Sequence, residues 1–443
     1  MVSLIERGQT VGGNAGSFEW EGQRLDYGSH RLHPSCAPEI LSDIRSLLGP
    51  DLLDRPRHGR IRLRGRWVHF PLLPRDLILR LDRGFALGTL LDMVRRRPKG
   101  RQDSFASVLK ANLGPTICDS FYFPYARKIW GEDPERLSAT QARRRVSANS
   151  FSKLLKKLFQ SVPGLRPPGA GRFYYPKRGF GQISEAFLAA GKQVGVEALL
   201  GWNVTELTPP DSPTARWRVT AERGDERLDL SADYIWSTIP LPVVTRLLTT
   251  IVPAEVQSAA RAMRFRSMIL IYLSLDVPTF TPFDAHYFPG PEVRMTRLSE
   301  PKNYAARREP TNRTVLCAEL PCSPADPWWD WDDAALGQLV TEDLAEAGIP
   351  LQRPPVAVTV RRLPQAYPIY EQGYEKHFDV LDRWADTLPN FLTYGRQGLF
   401  AHDNTHHALA MAYAAADCLG PGGFDHSAWS RHRLAFASHV VED

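Results

Sequence analysis

The chain has 443 residues, enough for roughly two to three domains, and 43% of them are hydrophobic and 23% charged. These fractions are typical of a globular protein and exclude a disordered chain, a collagen-like chain and a small disulfide scaffold. The longest apolar run, residues 268–275, is too short to span a membrane, and the first residues do not resemble a signal peptide. Five scattered cysteines without a CxxC pair favour a reducing compartment, so we expect a cytoplasmic protein.

Much of the net charge of +6 lies in residues 75–101, RDLILRLDRGFALGTLLDMVRRRPKGR. Leucines and arginines alternate there at roughly helical spacing, and residues 95–97 form an arginine cluster. A basic amphipathic helix can make peripheral contact with a membrane or hold a phosphate-bearing substrate, although a solvated helix face is the simpler interpretation. Because no nucleic-acid-binding motif accompanies the charge, we expect no nucleic-acid partner.

The first half of the chain begins with a predicted strand, VSLIE, that ends on Glu6 and is followed by a glycine turn at Gly12 and Gly13. Apolar residues spaced three and four apart then predict a mainly helical region over residues 36–160. Within it, residues 59–70 alternate between polar and apolar side chains, which predicts a hairpin.

The second half of the chain alternates strands and helices. A helix is predicted over residues 183–194 and strands within residues 196–237, while MILIYLSLDV and TVLCAEL predict strands of a further sheet. A glycine turn at Gly395 and Gly398 precedes a last helix over residues 407–419. The order predicts a nucleotide-binding α/β domain built from separated segments, with a helical insertion and a substrate-side sheet between them.

The segments most informative about function lie near the N-terminus. A strand that ends on an acid, here Glu6, suits a ribose because one carboxylate can accept hydrogen bonds from both vicinal hydroxyls. The pair Gly12-Gly13 lets backbone N–H groups approach a pyrophosphate or a flat ring without interference from a Cβ atom. The run DYGSH at residues 26–30 follows.

In this order and spacing, these segments resemble the second strand and following loop of the FAD-binding superfamily that includes amine oxidases, protoporphyrinogen oxidases and UDP-galactopyranose mutases. Later segments are similar to the same families, and the resemblance therefore covers nearly the whole chain. These later segments are FPYARKIWG at 123–131, YYPKRGFG at 174–181, Asn203-Val204, STIP at 237–240, Tyr367-Pro368 and GRQG at 395–398.

The resemblance implies an α/β fold with a discontinuous Rossmann-like FAD-binding domain of the glutathione-reductase type. The family normally opens with a strand and a GxGxxG turn, whereas this sequence begins at the second strand, so we expect either an upstream start or a lost pyrophosphate loop. A second departure is His406-His407, where the family usually has Asp-His. The implied division is 1–58, 171–240 and 363–443 for the FAD-binding domain including the C-terminal helix, 59–170 for a mainly helical substrate or insertion domain, and 241–362 for a substrate-side sheet domain.

The resemblance also implies roles for individual residues. A histidine beside a flavin can donate a hydrogen bond or move a proton, and arginine forks suit phosphate or carboxylate groups. No metal site is expected, because His30 and His33 lack a third ligand. The implied FAD-binding residues are Glu6, Arg7, Gly12, Gly13, Asn14, Gly28, Val204, Gly395, Arg396 and His407; the catalytic candidates are His30 and Arg66; the substrate-binding candidates are Arg294, Arg297 and Tyr367.

Three functions remain open. The first is an FAD-dependent oxidoreductase of the protoporphyrinogen oxidase and amine oxidase type, in which a hydride passes from a small substrate to flavin N5. The second is a flavoenzyme similar to UDP-galactopyranose mutase that acts on a nucleotide sugar. Either could act on nucleotide-sugar or lipid-linked substrates in polysaccharide or glycolipid synthesis. The third is a flavin-free scaffold protein.

Overall fold

The computed structural model describes residues 1–70, 76, 80, 82–94, 101–145, 171–212, 214–250, 252–307 and 309–441. The predicted arginine cluster at 95–97 and the end of the predicted helical region, residues 146–160, lie outside these ranges. The helices are α1 Pro38–Leu48, α2 Arg83–Val94, α3 Phe105–Leu113, α4 Pro115–Ile117, α5 Phe123–Trp130, α6 Ala139–Arg145, α7 Gln182–Gln193, α8 Leu241–Leu247, α9 Ala254–Ala262, α10 Pro301–Tyr304, α11 Asp333–Glu346, α12 Tyr374–Asp386, α13 Gly395–Gly398, α14 Thr405–Asp417 and α15 His426–Phe436.

The strands confirm the predicted mixture of α and β structure, and a π-helical turn, Cys118–Tyr122, joins α4 to α5. The strands are β1 Val2–Glu6, β2 Ser17–Trp20, β3 Gln23–Asp26, β4 Leu52–Pro56, β5 Gly59–Leu63, β6 Arg66–Phe70, β7 Arg172–Pro176, β8 Val196–Leu200, β9 Asn203–Thr208, β10 Trp217–Arg223, β11 Glu226–Ala232, β12 Ile235–Ser237, β13 Phe265–Leu275, β14 Ala285–Tyr287, β15 Arg297–Ser299, β16 Thr314–Cys322, β17 Ala357–Pro368, β18 Phe391–Thr393, β19 Leu419–Gly420 and β20 Gly423–Phe424.

The largest sheet has seven strands in the order β17-β13-β16-β15-β14-β5-β6. Its second strand, β13, is buried on both faces, which explains why its sequence is a continuous apolar run rather than an alternating one. Ile269, Ile271 and Leu273 pack with α11 on one face, while Leu270 and Tyr272 pack with the β2–β3 hairpin on the other. The second face is the one that bears the polar site described below.

The predicted hairpin at residues 59–70 is confirmed, because β5 and β6 pair antiparallel from Gly59–Phe70 to Leu63–Arg66. The hairpin extends the large sheet, since β5 also pairs in parallel with β14. Residues 59–70 therefore lie with the sheet strands rather than with the helices that follow them. The division of the chain into five stretches stays a prediction.

The second group of strands forms small sheets beside the large one. Strand β1 pairs in parallel with β8, β12 pairs in parallel with β18, and β9 to β11 form an antiparallel meander. Helix α7, predicted over 183–194, precedes β8 and confirms that prediction to within one residue. The hairpin β2–β3 and the pairing of β4 with β7 have no counterpart among the predicted elements.

The predicted helical region is confirmed for α1 and for α3 to α6. A separate apolar cluster, which includes the fully buried Leu109 and Leu113, holds α3 to α6 together, whereas α1 packs elsewhere. Ser104 caps α3 by accepting a hydrogen bond from the Ser107 N–H group at 3.0 Å. None of the helices in the described ranges is long and apolar enough to cross a bilayer.

Candidate active site

The segments DYGSH and YYPKRGFG meet at the carboxylate of Asp26. Asp26 accepts hydrogen bonds from the Ser17 hydroxyl at 2.6 Å, from the Tyr175 hydroxyl at 2.6 Å and from the Phe180 N–H group at 2.8 Å. A side chain at Gly179 would collide with Ser17, since its Cβ atom would lie 2.8 Å from the hydroxyl, and its φ of +93° favours glycine. Asp26 therefore joins two motifs that are far apart in sequence.

The loop that follows Asp26 is fixed to the large sheet by Glu319. This glutamate is 3% exposed and accepts hydrogen bonds from the Ser29 N–H group at 2.9 Å and from Arg297 Nε and Nη2 at 2.9 and 2.8 Å. Burial lowers the pKa of Arg297, but Glu319 and neighbouring tyrosines outweigh it and hold that pKa well above its usual range. The paired charges thus fix the position of the Gly28–His30 loop.

His30 lies inside this loop. One of its ring nitrogens, Nε2, is 2.9 Å from the backbone carbonyl of Tyr27. Burial lowers the pKa of His30, and the negative charge of Asp26 only partly opposes this effect. We therefore expect His30 to be neutral near pH 7, so that one ring nitrogen can donate a hydrogen bond while the other accepts one.

Tyr367, at the end of β17, lies between two arginines. The Arg396 guanidinium is 5.0 Å from its ring centre and that of Arg145 is 5.8 Å away. Arg396 donates a hydrogen bond to the carbonyl of Ala366 at 2.8 Å, and its buried Nε atom has no partner in the described part of the chain. Burial lowers the pKa of Arg396. Tyr367 opposes this effect and the charge of Arg145 adds to it, and the net result is a lowered pKa.

These residues form one cluster, and we infer from their partial exposure that they face an internal space. Arg297 keeps 18% of its side-chain surface exposed, and His30 and Arg396 are also partly exposed. Yet burial is the largest influence on the pKa of all three side chains. Side chains that are accessible to water deep within a protein face an internal space, so we infer that His30, Arg297, Tyr367 and Arg396 surround one cavity. Gly28 is buried in the same loop as His30.

His402 lies next to Tyr367 in this cluster and is 1% exposed. Its ring lies 6.1 Å from that of Tyr367 and nearly parallel to it. Burial and then the charges of Arg145 and Arg396 lower the pKa of His402 well below its usual value. A neutral histidine is therefore expected beside the two cationic groups.

The other end of the predicted ligand site lies at the carboxyl end of β1. The Gly8 N–H group donates a hydrogen bond to the Glu6 carboxylate at 2.6 Å, and the Trp202 N–H group donates one to the Glu6 backbone carbonyl at 3.1 Å. These contacts bring Glu6 next to the start of β9, which carries Val204. Nothing lies within 4 Å of the position that a Gly13 Cβ atom would occupy, so the turn faces open space.

The N-terminus of α14 carries a cluster of histidines. His407 forms a capping box with Asn404, its ring stacks on that of His439 at 4.2 Å, and His439 Nδ1 is hydrogen-bonded to Asp403 at 2.9 Å. In the described ranges, Asp403, His407 and His439 are the three ligand-type side chains close enough to share a metal ion, with atoms within 4.8 Å of one another. Because hydrogen bonds already join this set, it gives no reason to assign a metal.

Other predicted residues have structural partners elsewhere. Arg294 pairs with Asp343 at 2.8 Å on α11, across the large sheet from the cavity. Arg66 is exposed at the sheet edge and donates a hydrogen bond to the carbonyl of Arg80 at 3.1 Å. Arg7 is exposed, and Asn14 lies in a short 3₁₀ turn after Gly13. The structure does not bring Arg66 or Arg294 to the cavity.

Lys128, the lysine of the FPYARKIWG segment, serves the fold. Its ammonium group donates hydrogen bonds to the carbonyls of Phe288 and Val293 at 2.6 Å, of Gly290 at 2.5 Å and of Met295 at 3.3 Å. It therefore attaches the loop after β14 to α5.

Three residues of this region, Glu319, Arg145 and His402, were not predicted from the sequence. Glu319 interrupts the apolar strand TVLCAELPC, and a charge in a strand buried on both faces is a signal that it has a partner. Arg145 and His402 carry no such signal, because their proximity to Tyr367 depends on how distant segments pack.

The whole chain matches known flavoproteins. The family model described as "Flavin containing amine oxidoreductase" matches residues 1–417. Protoporphyrinogen oxidase 1 of Arabidopsis thaliana is 24% identical over 92% of this chain and 79% of that protein, and the chloroplast enzyme of Nicotiana tabacum is 22% identical over 93% and 78%. The crystal structure of reduced UDP-galactopyranose mutase superposes with a TM-score of 0.79 at 19% identity, covering 99% of this chain and 94% of the other.

The fold and the family define a flavin-dependent oxidoreductase. This chain belongs to the family of flavin-containing amine oxidoreductases, which confirms the superfamily that the sequence motifs predicted. The likeness to UDP-galactopyranose mutase is a likeness of fold.

Proposed function

We propose that this protein binds FAD and oxidises a small substrate that carries an anionic group. The observation that carries the proposal is the cluster of His30, Arg297, Tyr367 and Arg396, whose side chains are partly exposed deep within the protein and from which we infer a cavity. Within this proposal, the stretches 1–58, 171–240 and 363–443 form the Rossmann-like FAD-binding domain. A cytoplasmic location belongs to the same proposal and is supported by the free, buried cysteines.

The residues present fit an elongated dinucleotide. At one end, Glu6 offers a carboxylate to a ribose and Val204 offers an apolar neighbour to an adenine. The turn opens at Gly13 into free space that a pyrophosphate could fill, whereas Gly12 packs against Ser184 and Gly16. At the other end, the Ser237 hydroxyl and Arg396 Nε are buried polar atoms without a partner in the described ranges, so they are available to a flavin ring.

The flavin, when bound, supplies the capacity to accept a hydride equivalent from the substrate. The chain itself positions the reactants. The Glu319–Arg297 pair holds the loop that bears His30, and the neutral His30 can take or give a proton at a ring nitrogen. The ring of Tyr367, backed by the buried His402, adds an aromatic surface to this cluster.

The charge of the cavity favours an anionic substrate group over an amine. Arg297 is neutralised by Glu319. In contrast, Arg145 and Arg396 make no ion pair within 4 Å in the described part of the chain. Arg144 donates a hydrogen bond to the uncharged Tyr370 hydroxyl. The charge of Asp403 also acts on Arg396 and raises its pKa, but it does not outweigh burial. A phosphate or carboxylate would pair with these cations, whereas a protonated amine would be repelled.

The first experiment is an absorption spectrum of the purified full-length protein, with mass spectrometry of the released cofactor. We expect flavin bands and FAD. Anaerobic addition of a carboxylate-bearing porphyrinogen should bleach the oxidised bands, while putrescine should leave them unchanged. Soluble, folded protein without flavin bands would overturn the proposal and leave the scaffold hypothesis.

A matched pair of variants on α6 tests the role of charge. Arg145→Gln should raise the substrate KM by roughly tenfold or more, because a charge-assisted hydrogen bond is lost, and should keep its flavin bands. Arg143→Gln, exposed on the same helix, is the control and should behave as the wild type. Equal KM values for the two variants would contradict the assignment.

The runner-up is a mutase-type isomerase acting on a nucleotide sugar. The TM-score of 0.79 over 99% of the chain favours it on fold, and the unpaired arginines also suit a diphosphate. Turnover of a nucleotide sugar only after reduction with dithionite, without bleaching by any reductant substrate, would support the mutase over the oxidoreductase.

A further inference from the structure

The face of the β5–β6 hairpin that looks towards α11 carries an arginine without a counter-ion. The guanidinium of Arg60 lies 3.9 Å from the ring centre of Trp67 and 4.6 Å from that of Phe283. Its Nε atom is buried without a hydrogen-bond partner, and the side chain makes no ion pair in the described part of the chain. Two aromatic rings therefore hold this cation in place without neutralising it.

The pKa of Arg60 reflects this missing counter-ion. Burial lowers the pKa of Arg60 to about 10, and no acidic group opposes the effect. Arg297, on the other face of the large sheet, behaves in the opposite way, because Glu319 outweighs burial and holds its pKa above the usual range. A partly buried cation that lacks an acceptor is unfavourable, and a bound anion would remove that cost.

A second arginine leaves the same face of β5. Arg60 and Arg62 are two residues apart in this strand, so their Cβ atoms lie about 7 Å apart on one side of the sheet, while Ile61 packs on the other side. Trp67 is paired with Arg62 across the hairpin and lies against Arg60. The side chain of Arg62 is 12% exposed, and its buried Nε and Nη1 atoms have no partner in the described ranges.

The acidic groups near this face do not balance the two arginines. Glu346, at the end of α11, is 60% exposed, and its Oε1 atom lies 4.0 Å from Arg62 Nη2, which is too far for a hydrogen bond. The carboxylate of Asp76 is shared by His69 at 2.8 Å and Arg80 at 3.2 Å. Two cations with donors that lack acceptors therefore face one exposed carboxylate.

The neighbouring histidine adds no charge. The ring of His286 packs edge-on against Trp67 at 5.6 Å. Burial, and next to it the charge of Arg60, lowers the pKa of His286 to about 3, so this side chain is neutral near pH 7. The carboxylate of Asp284 lies in the next position along β14, where it accepts a hydrogen bond from the His58 N–H group at 3.2 Å.

We propose that Arg60 and Arg62 bind a phosphate group on this face of the hairpin, either as inorganic phosphate or as the phosphate of a small monoester. A guanidinium presents N–H donors in a planar fork that matches two oxygens of a phosphate, and the stacking on Trp67 holds the fork of Arg60 ready. Two such groups on one strand can share one tetrahedral anion. This inference does not depend on the proposed function, because Trp67 packs on the α11 side of the large sheet and the flavin and substrate residues lie on the other.

The test is isothermal titration calorimetry of the full-length protein with inorganic phosphate and, separately, with glycerol 3-phosphate. We expect the wild type to bind at least one of them, and the variants R60Q and R62Q each to raise its Kd by roughly tenfold or more, because each loses charge-assisted hydrogen bonds. R60K keeps the charge but loses the planar fork, so its Kd should lie between those of R60Q and the wild type. Circular dichroism should show that all variants keep their fold.

Two controls separate this site from other cations. Arg66→Gln removes an exposed arginine from the same hairpin, and Arg145→Gln removes one from the proposed substrate site, and both should bind phosphate as the wild type does. Equal binding of the two titrants would assign the site to the phosphate group itself, and tighter binding of glycerol 3-phosphate would assign it to a monoester. A wild type that binds neither would overturn the proposal. So would R60Q and R62Q proteins that bind as the wild type does, or a loss of binding confined to R145Q.

Discussion

At the scale of single residues, the buried pair of Glu319 and Arg297 has the greatest effect on the site. Glu319→Gln keeps an oxygen that can accept the Ser29 N–H hydrogen bond but removes the negative charge, and Arg297 is then an unpaired buried cation. Breaking a buried pair in this way costs about 3–5 kcal/mol. We therefore expect the urea midpoint of unfolding to fall markedly in this variant.

The control for this prediction is Glu346→Gln. Glu346 is 60% exposed and lies 4.0 Å from Arg62, and exposed pairs contribute about 1 kcal/mol or less. The double variant E319Q/R297Q should recover part of the lost stability, because it leaves no unpaired charge. Equal midpoints for E319Q and E346Q would show that the Glu319 pair does not fix the loop.

At the scale of elements, the contact between α7 and β2 depends on Gly181. Its φ of −60° is accessible to any residue, but a Cβ atom there would lie 2.5 Å from the Ser17 backbone nitrogen. Gly181→Ala must therefore move the start of α7 away from β2 and weaken the hydrogen bonds around Asp26. We expect a loss of about 1–3 kcal/mol in the free energy of unfolding, measured by chemical denaturation.

Gly191→Ala, in the same helix, separates the steric effect from helix propensity. Its Cβ atom would lie 3.3 Å from a Val196 methyl group, and alanine is better than glycine in a helix by about 0.5–1 kcal/mol. This variant should stay within about 1 kcal/mol of the wild type. If G181A were as stable as the wild type, the close approach of α7 to β2 would not contribute to the free energy of unfolding.

Helices and hairpins that are marked by a local pattern of apolar residues could be predicted from the sequence. Contacts between strands that are far apart in the sequence could not. The alternation over residues 59–70 identified the β5–β6 hairpin, and apolar spacing identified α7. The pairing of β5 with β14 joins residues more than two hundred positions apart, and no local pattern encodes it. Likewise, the motifs DYGSH and YYPKRGFG could be recognised in the sequence. Their meeting at the Asp26 carboxylate could not be predicted, because it depends on how distant segments pack.

At the scale of the whole molecule, the cavity is assembled from segments that span most of the chain. Gly28, Arg297, Tyr367 and Arg396 come from four separate stretches, so none of them can be placed by its neighbours in sequence. Motif resemblance named all four, because it carries information about a fold rather than about local structure. It also named Arg66 and Arg294, whose partners here are a backbone carbonyl and a carboxylate away from the cavity.

Buried histidines make the stability of the whole molecule sensitive to acid. Burial is the main cause, and the charge of Arg60 the second, of a His286 pKa lowered to about 3. Burial, with His33 as the second cause, lowers the pKa of His406 to about 4. Burial also lowers the pKa of His402 well below its usual value. An unfolded histidine binds a proton below about pH 6.5. The unfolded state therefore binds more protons, and stability falls as the pH is lowered from about 6.5 towards 4.

His406→Gln tests this dependence at one site. The wild type should lose about 2–3 kcal/mol more than the variant between pH 6.5 and 4.5, since each pKa unit corresponds to about 1.4 kcal/mol and glutamine does not titrate. Urea midpoints measured across this range give the comparison, and His377→Gln, exposed on α12, is the control and should follow the wild type. If His406→Gln and the wild type had parallel curves, His406 would be protonated as readily in the folded protein as in the unfolded chain, and burial would not lower its pKa.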